Sequence, residues 1–397
     1  VLLDKSITSK SPAPFVCLHS LLRDRAARDP LAPAFLALGR APLTYGRLYE
    51  HAGKVGRSLR AMGIGPQDRL AVMLPNGPEL AAAIVSIGSN AACAVVNPAY
   101  GADELDRYFD DLRPHALVIQ AGDDTPARHV AAKRGVRIVE LAPADEAAGL
   151  FTLHTAGPCK ASRAPVGPGR VALLLLTSGT TSRPKIVPLT HANVCTSAFS
   201  SVAAIGLTAA DRCVNVLALF HGHGLIATIM ASLAAGASVV CTPGYDGKSF
   251  LGWLKEFRPT WYSAVPTIHQ AVLAQARQFP EGAKDCGLRL IRSASAPLPP
   301  PVLAELERIF AVTVIEFYGM TETASAPIAC NPLPPRRRKP GSVGVPVGLD
   351  VAVMGGEGDF LRLGETGEVV VRGASVMRSY DGDAAATESA FADGWFR

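Results

Sequence analysis

The chain has 397 residues, too many for one hydrophobic core on the usual scaling of buried surface with size, so two or three packed subdomains are expected. Hydrophobic residues make up 48% and charged residues 18%, which excludes a disordered chain. The formal net charge of +5 is not gathered into a long basic stretch, so a nucleic-acid or membrane-surface partner finds no support and a small anionic molecule suits the chain as well.

Asp4 and Lys5 fall among the first residues without a charged, apolar, then small pattern, so no signal peptide is expected. A strand pattern at Leu70 to Leu74 is followed by a helical one at Glu79 to Ser86. The uncharged run Leu80 to Val96 is broken by Gly and small polar residues where a helix hands over to a strand. It reads as buried core, not a membrane span. Strand patterns return at Ala116 to Ile119 and Val136 to Val139. From Ala142 to Arg170 the chain is rich in Ala, Gly and Pro without a steady period, which reads as a linker or surface excursion.

A buried strand is expected at Val171 to Leu176, and Thr190 is suited to cap a helix starting near His191. The second long uncharged run, Gly222 to Thr242, ends in the strand pattern Ser238 to Cys241. Helical patterns at Phe250 to Phe257, Thr267 to Gln278 and Pro301 to Phe310 then alternate with strand patterns at Trp261 to Val265, Leu288 to Ile291 and Val312 to Phe317. Prolines before position 302 suit a helix start. This alternation predicts an α/β architecture with largely parallel, buried sheets. Beyond Pro340, glycines punctuate short Val-rich runs, the pattern of a small antiparallel sheet or barrel.

The expected division is 1–170, with 142–170 linker-like, then 171–335, then a small β-rich unit at 336–397. The basic run Arg336 to Lys339, bracketed by prolines, reads as an extended solvated loop, with a role near phosphates as the alternative. Eight cysteines stand singly with no Cys-x-x-Cys pair, so reduced thiols in a cytoplasmic protein are expected instead of disulfides or zinc.

The most informative stretch runs from Thr177 through Ser178, Gly179, Thr180, Thr181, Ser182, Arg183 and Pro184 to Lys185, directly after a buried strand. A polyphosphate needs many short donors without crowding. Gly179 lets the backbone approach, the hydroxyls of Ser178, Thr180 and Thr181 donate, and Lys185 adds a compact positive charge. Pro184 precedes Lys185 and no Ser or Thr follows, so this is not a Walker A motif. A polar turn after a strand is the plain alternative.

A second block, Glu316-Phe317-Tyr318-Gly319-Met320-Thr321-Glu322-Thr323, follows the strand pattern at Val312 to Ile315. Taken in order, Thr-Ser-Gly-Thr-Thr-x-x-Pro-Lys and Tyr-Gly-x-Thr-Glu resemble the adenylate-forming superfamily of acyl-CoA synthetases, peptide-synthetase adenylation domains and luciferases. Ser182 departs from the family's usual Gly. The resemblance implies that Thr177 to Thr181 and Lys185 bind the phosphates of ATP, that Tyr318 packs on the adenine, that Thr321 hydrogen-bonds the α-phosphate and that Glu322 coordinates Mg²⁺. Glu316, Phe317, Gly319 and Met320 complete that block. The chemistry is sensible, since carboxylate attack on the α-phosphorus gathers negative charge that a metal and a hydroxyl stabilise.

Ser293-Ala294-Ser295-Ala296-Pro297-Leu298 sits where the family carries its adenine and acyl wall, with Ala294 in place of Gly. By resemblance Ser295, Ala296 and Pro297 edge the nucleotide. Phe220-His221-Gly222-His223-Gly224 corresponds to the segment bordering the acyl tunnel, although two histidines at this spacing also read as a metal site or a satisfied core pair. Lys185, Thr321, Glu322 and His221 form the expected catalytic set; His221, Ser293, Tyr318 and Ser325 are expected to meet the acid.

The strings Ser178 to Pro188, Thr260 to Gln270, Ile291 to Ser295 and Asn331 to Pro334 look closer still to the oxalyl-CoA synthetase branch. That branch carries a His where this chain has Ser325. A dicarboxylate needs a strong donor for its distal carboxylate, so oxalate itself is put in doubt, while a small or dicarboxylic acid fits the polar set.

The implied reaction is acid plus MgATP to acyl-AMP and pyrophosphate, then CoA to acyl-CoA and AMP. Loading of a carrier-protein phosphopantetheine is the alternative, and a noncatalytic nucleotide-binding module is the reading from another class. The chain stops before the family's ribose-binding Asp, hinge and small mobile domain with its catalytic Lys, so a chain ending at Arg397 is expected to adenylate slowly. The oligomeric state stays open.

Overall fold

Strands that are apolar on both faces need cover on both faces, and helices supply it throughout this molecule. The computed structural model describes residues 15–155, 167–177, 184–283, 286–339 and 341–397. Among them the strands form sheets of seven, nine and four members.

The seven-stranded sheet runs in the order Phe151–His154, Arg137–Pro143, Ala116–Gln120, Arg69–Met73, Ala92–Val95, Val171–Leu176, Ile186–Thr190. Its inner pairs are parallel and its two edge pairs antiparallel. The nine-stranded sheet has a parallel centre built from Pro33–Leu36, Ser238–Cys241, Arg212–Asn215, Trp261–Ala264, Leu290–Ala294 and Thr313–Tyr318. Asp350–Met354, Glu368–Arg372, Trp395–Phe396 and Phe391–Ala392 make the small antiparallel sheet, which packs Ala352, Met354, Val370 and Trp395 together. The α/β class with a small antiparallel sheet at the end is the architecture that the sequence predicts.

The two large sheets exchange strands along the chain. Pro33–Leu36 pairs with Ser238–Cys241, with Phe35 opposite Val239. Val171–Leu176 pairs with Ala92–Val95, with Leu174 opposite Ala94. Position 170/171 thus falls between strands of one sheet. Thr190 caps the helix His191–Ile205 by accepting from Asn193 N, and Asn193 Oδ1 accepts in return from Thr190 N. That helix packs on both strands flanking the phosphate loop and on the helix Ala231–Ala235.

The expected linker at 142–170 differs in its first part. Arg137–Pro143 and Phe151–His154 pair antiparallel, with Phe151 and Leu153 buried while Thr152 and His154 face out. Four alternating residues are too short a run for a period to stand out. Residues 156–166 lie outside the described residues, as do Cys159 and Pro340.

Both long uncharged runs are core. Pro78–Gly88 is a helix buried from Leu80 to Gly88 and leading to Ala92–Val95, and the second run is helical turns at 222–235 leading to Ser238–Cys241. Among the described residues no helix is long and apolar enough to cross a membrane. The basic run is partly tied down, since Arg338 Nη1 donates to Glu307 Oε1 at 2.5 Å and to Val314 O at 2.6 Å.

Candidate functional site

In parallel sheets the loops after the strand C-termini converge, and ligand sites form there. Leu290–Ala294 and Thr313–Tyr318 are parallel neighbours with Ala294 opposite Phe317, so Ser295 and Tyr318 emerge at the same rim. They border a cavity of about 600 Å³. Thr177, His221, Ser295 and Ser325 line it, together with the whole run Phe317 to Glu322.

The run after Tyr318 turns sharply. Ile328 N donates to Tyr318 O at 2.8 Å, and Thr323 Oγ1 donates to Met320 O at 3.0 Å, closing the loop on itself. Gly319 is required by this closure, because a Cβ there would lie 2.6 Å from Ala326 O. Met377 N donates to Glu322 O at 2.7 Å and fixes the main chain of Glu322 from the other side.

Tyr380, which the sequence reading did not single out, donates its hydroxyl to Glu322 Oε1 at 2.9 Å. Burial, and then the neighbouring Glu322 carboxylate, raise its phenol pKa above the usual value, so it remains a donor at neutral pH. Lys185 Nζ lies 4.8 Å from the centroid of the same ring.

Thr177 and Lys185 face each other across the base of the phosphate loop. Thr177 N donates to Lys185 O at 3.0 Å, and Lys185 N donates to Thr177 Oγ1 at 3.0 Å. The flanking strands pair Leu176 with Ile186, so this loop joins two strands of an antiparallel pair. Ser178, Gly179, Thr180 and Thr181 lie outside the described residues.

The wall segment is split by strand alternation. Arg292 and Ala294 line the cavity, whereas Ser293, between them, does not. Its hydroxyl is fully buried and has no hydrogen-bond partner among the described residues. Ala296 and Pro297 sit in the exposed loop beyond the strand, off the cavity wall. Glu316 also lies off the wall, where its Oε1 accepts from Leu298 N at 3.2 Å and holds that loop.

His221 stands at the exposed edge of the cavity with its ring 4.5 Å from that of Phe220. His223 points inward instead, its Nδ1 3.1 Å from Ser295 Oγ and its Nε2 2.6 Å from Ser263 Oγ. Burial, with Arg292 nearby, holds its pKa well below the usual imidazole value, so the ring is neutral at pH 7. Both ring nitrogens of His223 are engaged by hydroxyls.

Arg292 is the second residue missed by the sequence reading. It is fully buried, and burial lowers its pKa to about 10, which leaves it charged at neutral pH. The available signal was a charged residue inside an otherwise apolar strand.

Among the described residues no three His, Cys, Asp or Glu side chains gather into a metal cage. Glu322 is a single carboxylate on the cavity wall, and the hydrogen bond from Tyr380 uses one of its two oxygens. That donor set fits Mg²⁺, which takes one or two carboxylates and completes its shell with waters and substrate phosphates.

The profile of the AMP-binding enzyme family matches residues 22–381. The chain is 37% identical over 387 residues to an oxalate–CoA ligase of Arabidopsis thaliana, covering 96% of this chain and 75% of that protein. It is also 37% identical over 395 residues to a sulfoacetate–CoA ligase of Cupriavidus necator, covering 97% and 75%. The crystal structure of apo MatB from Rhodopseudomonas palustris superposes with a TM-score of 0.82 at 27% identity, over 96% of this chain and 75% of that one. O-succinylbenzoate coenzyme A synthetase from Bacillus subtilis, solved with ATP and a magnesium ion, gives 0.79 at 26% identity over 95% and 75%. By fold, by the cavity that gathers Tyr318 to Glu322, and by these matches, the chain belongs to the AMP-binding enzyme family, in its acid–thiol ligase class.

Proposed function

We propose that the chain carries the adenylation site of an acyl-CoA synthetase that activates a small or dicarboxylic acid with MgATP and passes it to CoA. The observation that carries this reading is the shared cavity. Tyr318, Thr321 and Glu322 line it together with His221, Ser295 and Ser325, so a nucleotide α-phosphate and an acid carboxylate can meet within it.

In the first step a carboxylate oxygen of the acid bonds to the α-phosphorus, the bond from that phosphorus to the β-phosphate oxygen breaks, and pyrophosphate leaves. Negative charge gathers on the α-phosphate oxygens, where the Thr321 hydroxyl donates. Lys185 balances the departing phosphates. The ring of Tyr318 packs against the adenine. Glu322, steadied by Tyr380, is the ligand for Mg²⁺, which when bound neutralises phosphate charge. His221, Ser295 and Ser325 meet the acid. In the second step the CoA thiol attacks the acyl carbon and AMP departs. Cys17, Cys93, Cys195, Cys213, Cys241 and Cys330 are free thiols, which suits a reducing cytoplasm.

The test is acid-dependent exchange of pyrophosphate into ATP, followed by CoA-dependent AMP release, over a panel from oxalate and malonate to aromatic and medium-chain acids. Exchange with short acids and AMP release with free CoA are expected. Exchange that never yields thioester with free CoA would overturn the choice of acceptor.

A further inference from the structure

Arg292 sits on the strand Leu290–Ala294 among the residues that bound the cavity, with no exposed surface of its own, so its guanidinium lies behind the cavity wall. Nε donates to Ser263 Oγ at 2.8 Å, Nη1 to Ala227 O at 2.7 Å and Nη2 to Thr228 Oγ1 at 2.9 Å. All three acceptors are neutral. A guanidinium has five N–H groups, so one remains on each terminal nitrogen.

Among the described residues no Asp or Glu side chain pairs with it. The rings of Phe317 and Trp261 lie 5.0 Å and 5.2 Å from its carbon. His223 and His269 are held neutral by burial, and the thiols of Cys213 and Cys330 are pushed up by it, so they stay protonated. By contrast Arg289, lower on the same strand edge, meets Asp211 at 2.7 Å, and Arg69 pairs with Asp381. A buried charge without an opposite charge is costly, and a ligand that brought one would offset that cost.

Depth fits that assignment. Arg292 lies three residues before Ser295, about 10 Å below the rim where Ser295 and Tyr318 stand, at roughly 3.3 Å per strand residue. A carboxylate reacting at the rim would direct the rest of a short acid inward, toward the free N–H groups.

We infer that Arg292 is the counter-ion for a second anionic group, carboxylate or sulfonate, on the acid taken by this cavity, and that it selects dianionic acids over monocarboxylic acids of similar length. The inference rests on the ligase reading for which end of the acid reacts. Its two planar N–H groups match the paired oxygens of either anion. Ser263 acts as a positioning residue, since its hydroxyl lies between His223 Nε2 and Arg292 Nε.

The test is calorimetric binding of malonate, sulfoacetate and propionate to the whole chain with ATP and Mg²⁺, in the native protein and in Arg292→Met and Arg292→Lys. The native protein is expected to bind both dianions at least about 100-fold more tightly than propionate, as for a buried charge pair. Arg292→Met should bring the three acids within a few-fold of one another with ATP binding retained, and Arg292→Lys should keep a reduced preference. Propionate binding as tightly as malonate in the native protein overturns the inference, and needs no variant should Arg292→Met fail to fold. A dianion preference that survives in folded Arg292→Met overturns it too. Absence of pyrophosphate exchange with every acid would instead count against the ligase reading, while the binding ratios still report on Arg292.

Discussion

Tyr380 reaches across 58 residues of sequence to donate its hydroxyl to Glu322 Oε1 at 2.9 Å. The main chain of Tyr380 is anchored in turn, where Tyr380 N donates to Thr387 Oγ1 at 3.0 Å. Tyr380→Phe keeps the ring under Lys185 and removes only the hydroxyl. The midpoint of the Mg²⁺ titration for ATP binding should rise several-fold, with a stability loss of about 1 to 2 kcal/mol for one hydrogen bond to a charged group. An unchanged Mg²⁺ midpoint would remove Tyr380 from the metal-binding machinery.

Lys185 and Glu322 act on the same nucleotide through opposite charges, and their variants should separate. Lys185→Ala is expected to weaken ATP binding by roughly 10-fold or more while leaving its response to Mg²⁺ in place. Glu322→Ala should flatten that response. Equilibrium titration of ATP at several Mg²⁺ concentrations reads both effects, and a normal metal response in Glu322→Ala rejects the assigned ligand.

What was legible in the sequence was what is local. Val-rich and Leu-rich runs of four to six residues became the parallel strands, Thr190 became a helix cap, and Tyr318 to Glu322 form one loop because they are contiguous. Partners distant in sequence were not legible. The pairing of Phe35 with Val239, the bond from Tyr380 to Glu322 and the seat of Arg292 among Ala227, Thr228 and Ser263 depend on which strands become neighbours. Ser293 shows a nearer miss. Alternation along a strand puts successive side chains on opposite faces, so placing Ala294 on the cavity already turns Ser293 away from it.

Gly319 tests how tightly the nucleotide loop is closed. In Gly319→Ala the new methyl would sit 2.6 Å from Ala326 O, a backbone atom that cannot swing aside as a side chain end can. The loop from Met320 to Ala326 must shift, carrying Thr321 and Glu322 with it. ATP affinity should fall by about 10-fold or more, with a modest drop in melting temperature because the loop is at the edge of the core. Wild-type affinity in Gly319→Ala would mean that the loop does not hold the nucleotide.

Stability should fall on mild acidification, for a reason that the buried imidazoles set. Burial lowers the pKa of His51, His191 and His269 to about 4 each, and it holds that of His223 well below the usual value. Above about pH 6.5 the unfolded and folded chains both carry these groups neutral, and they contribute no pH dependence. Below it the unfolded chain takes up protons first, so stability declines with falling pH down to about pH 4. With about 1.4 kcal/mol for each unit of pKa difference, three such groups amount to several kcal/mol by pH 5. His51 offers the cleanest variant, because its Nε2 has no hydrogen-bond partner among the described residues and its ring stands edge-on to Phe151 at 4.4 Å. His51→Gln is neutral at every pH and should lessen the loss between pH 7.5 and pH 5 by about 2 kcal/mol, read from urea denaturation at the two pH values. Equal losses in the native protein and in His51→Gln would show that this imidazole titrates alike in the folded and unfolded chains.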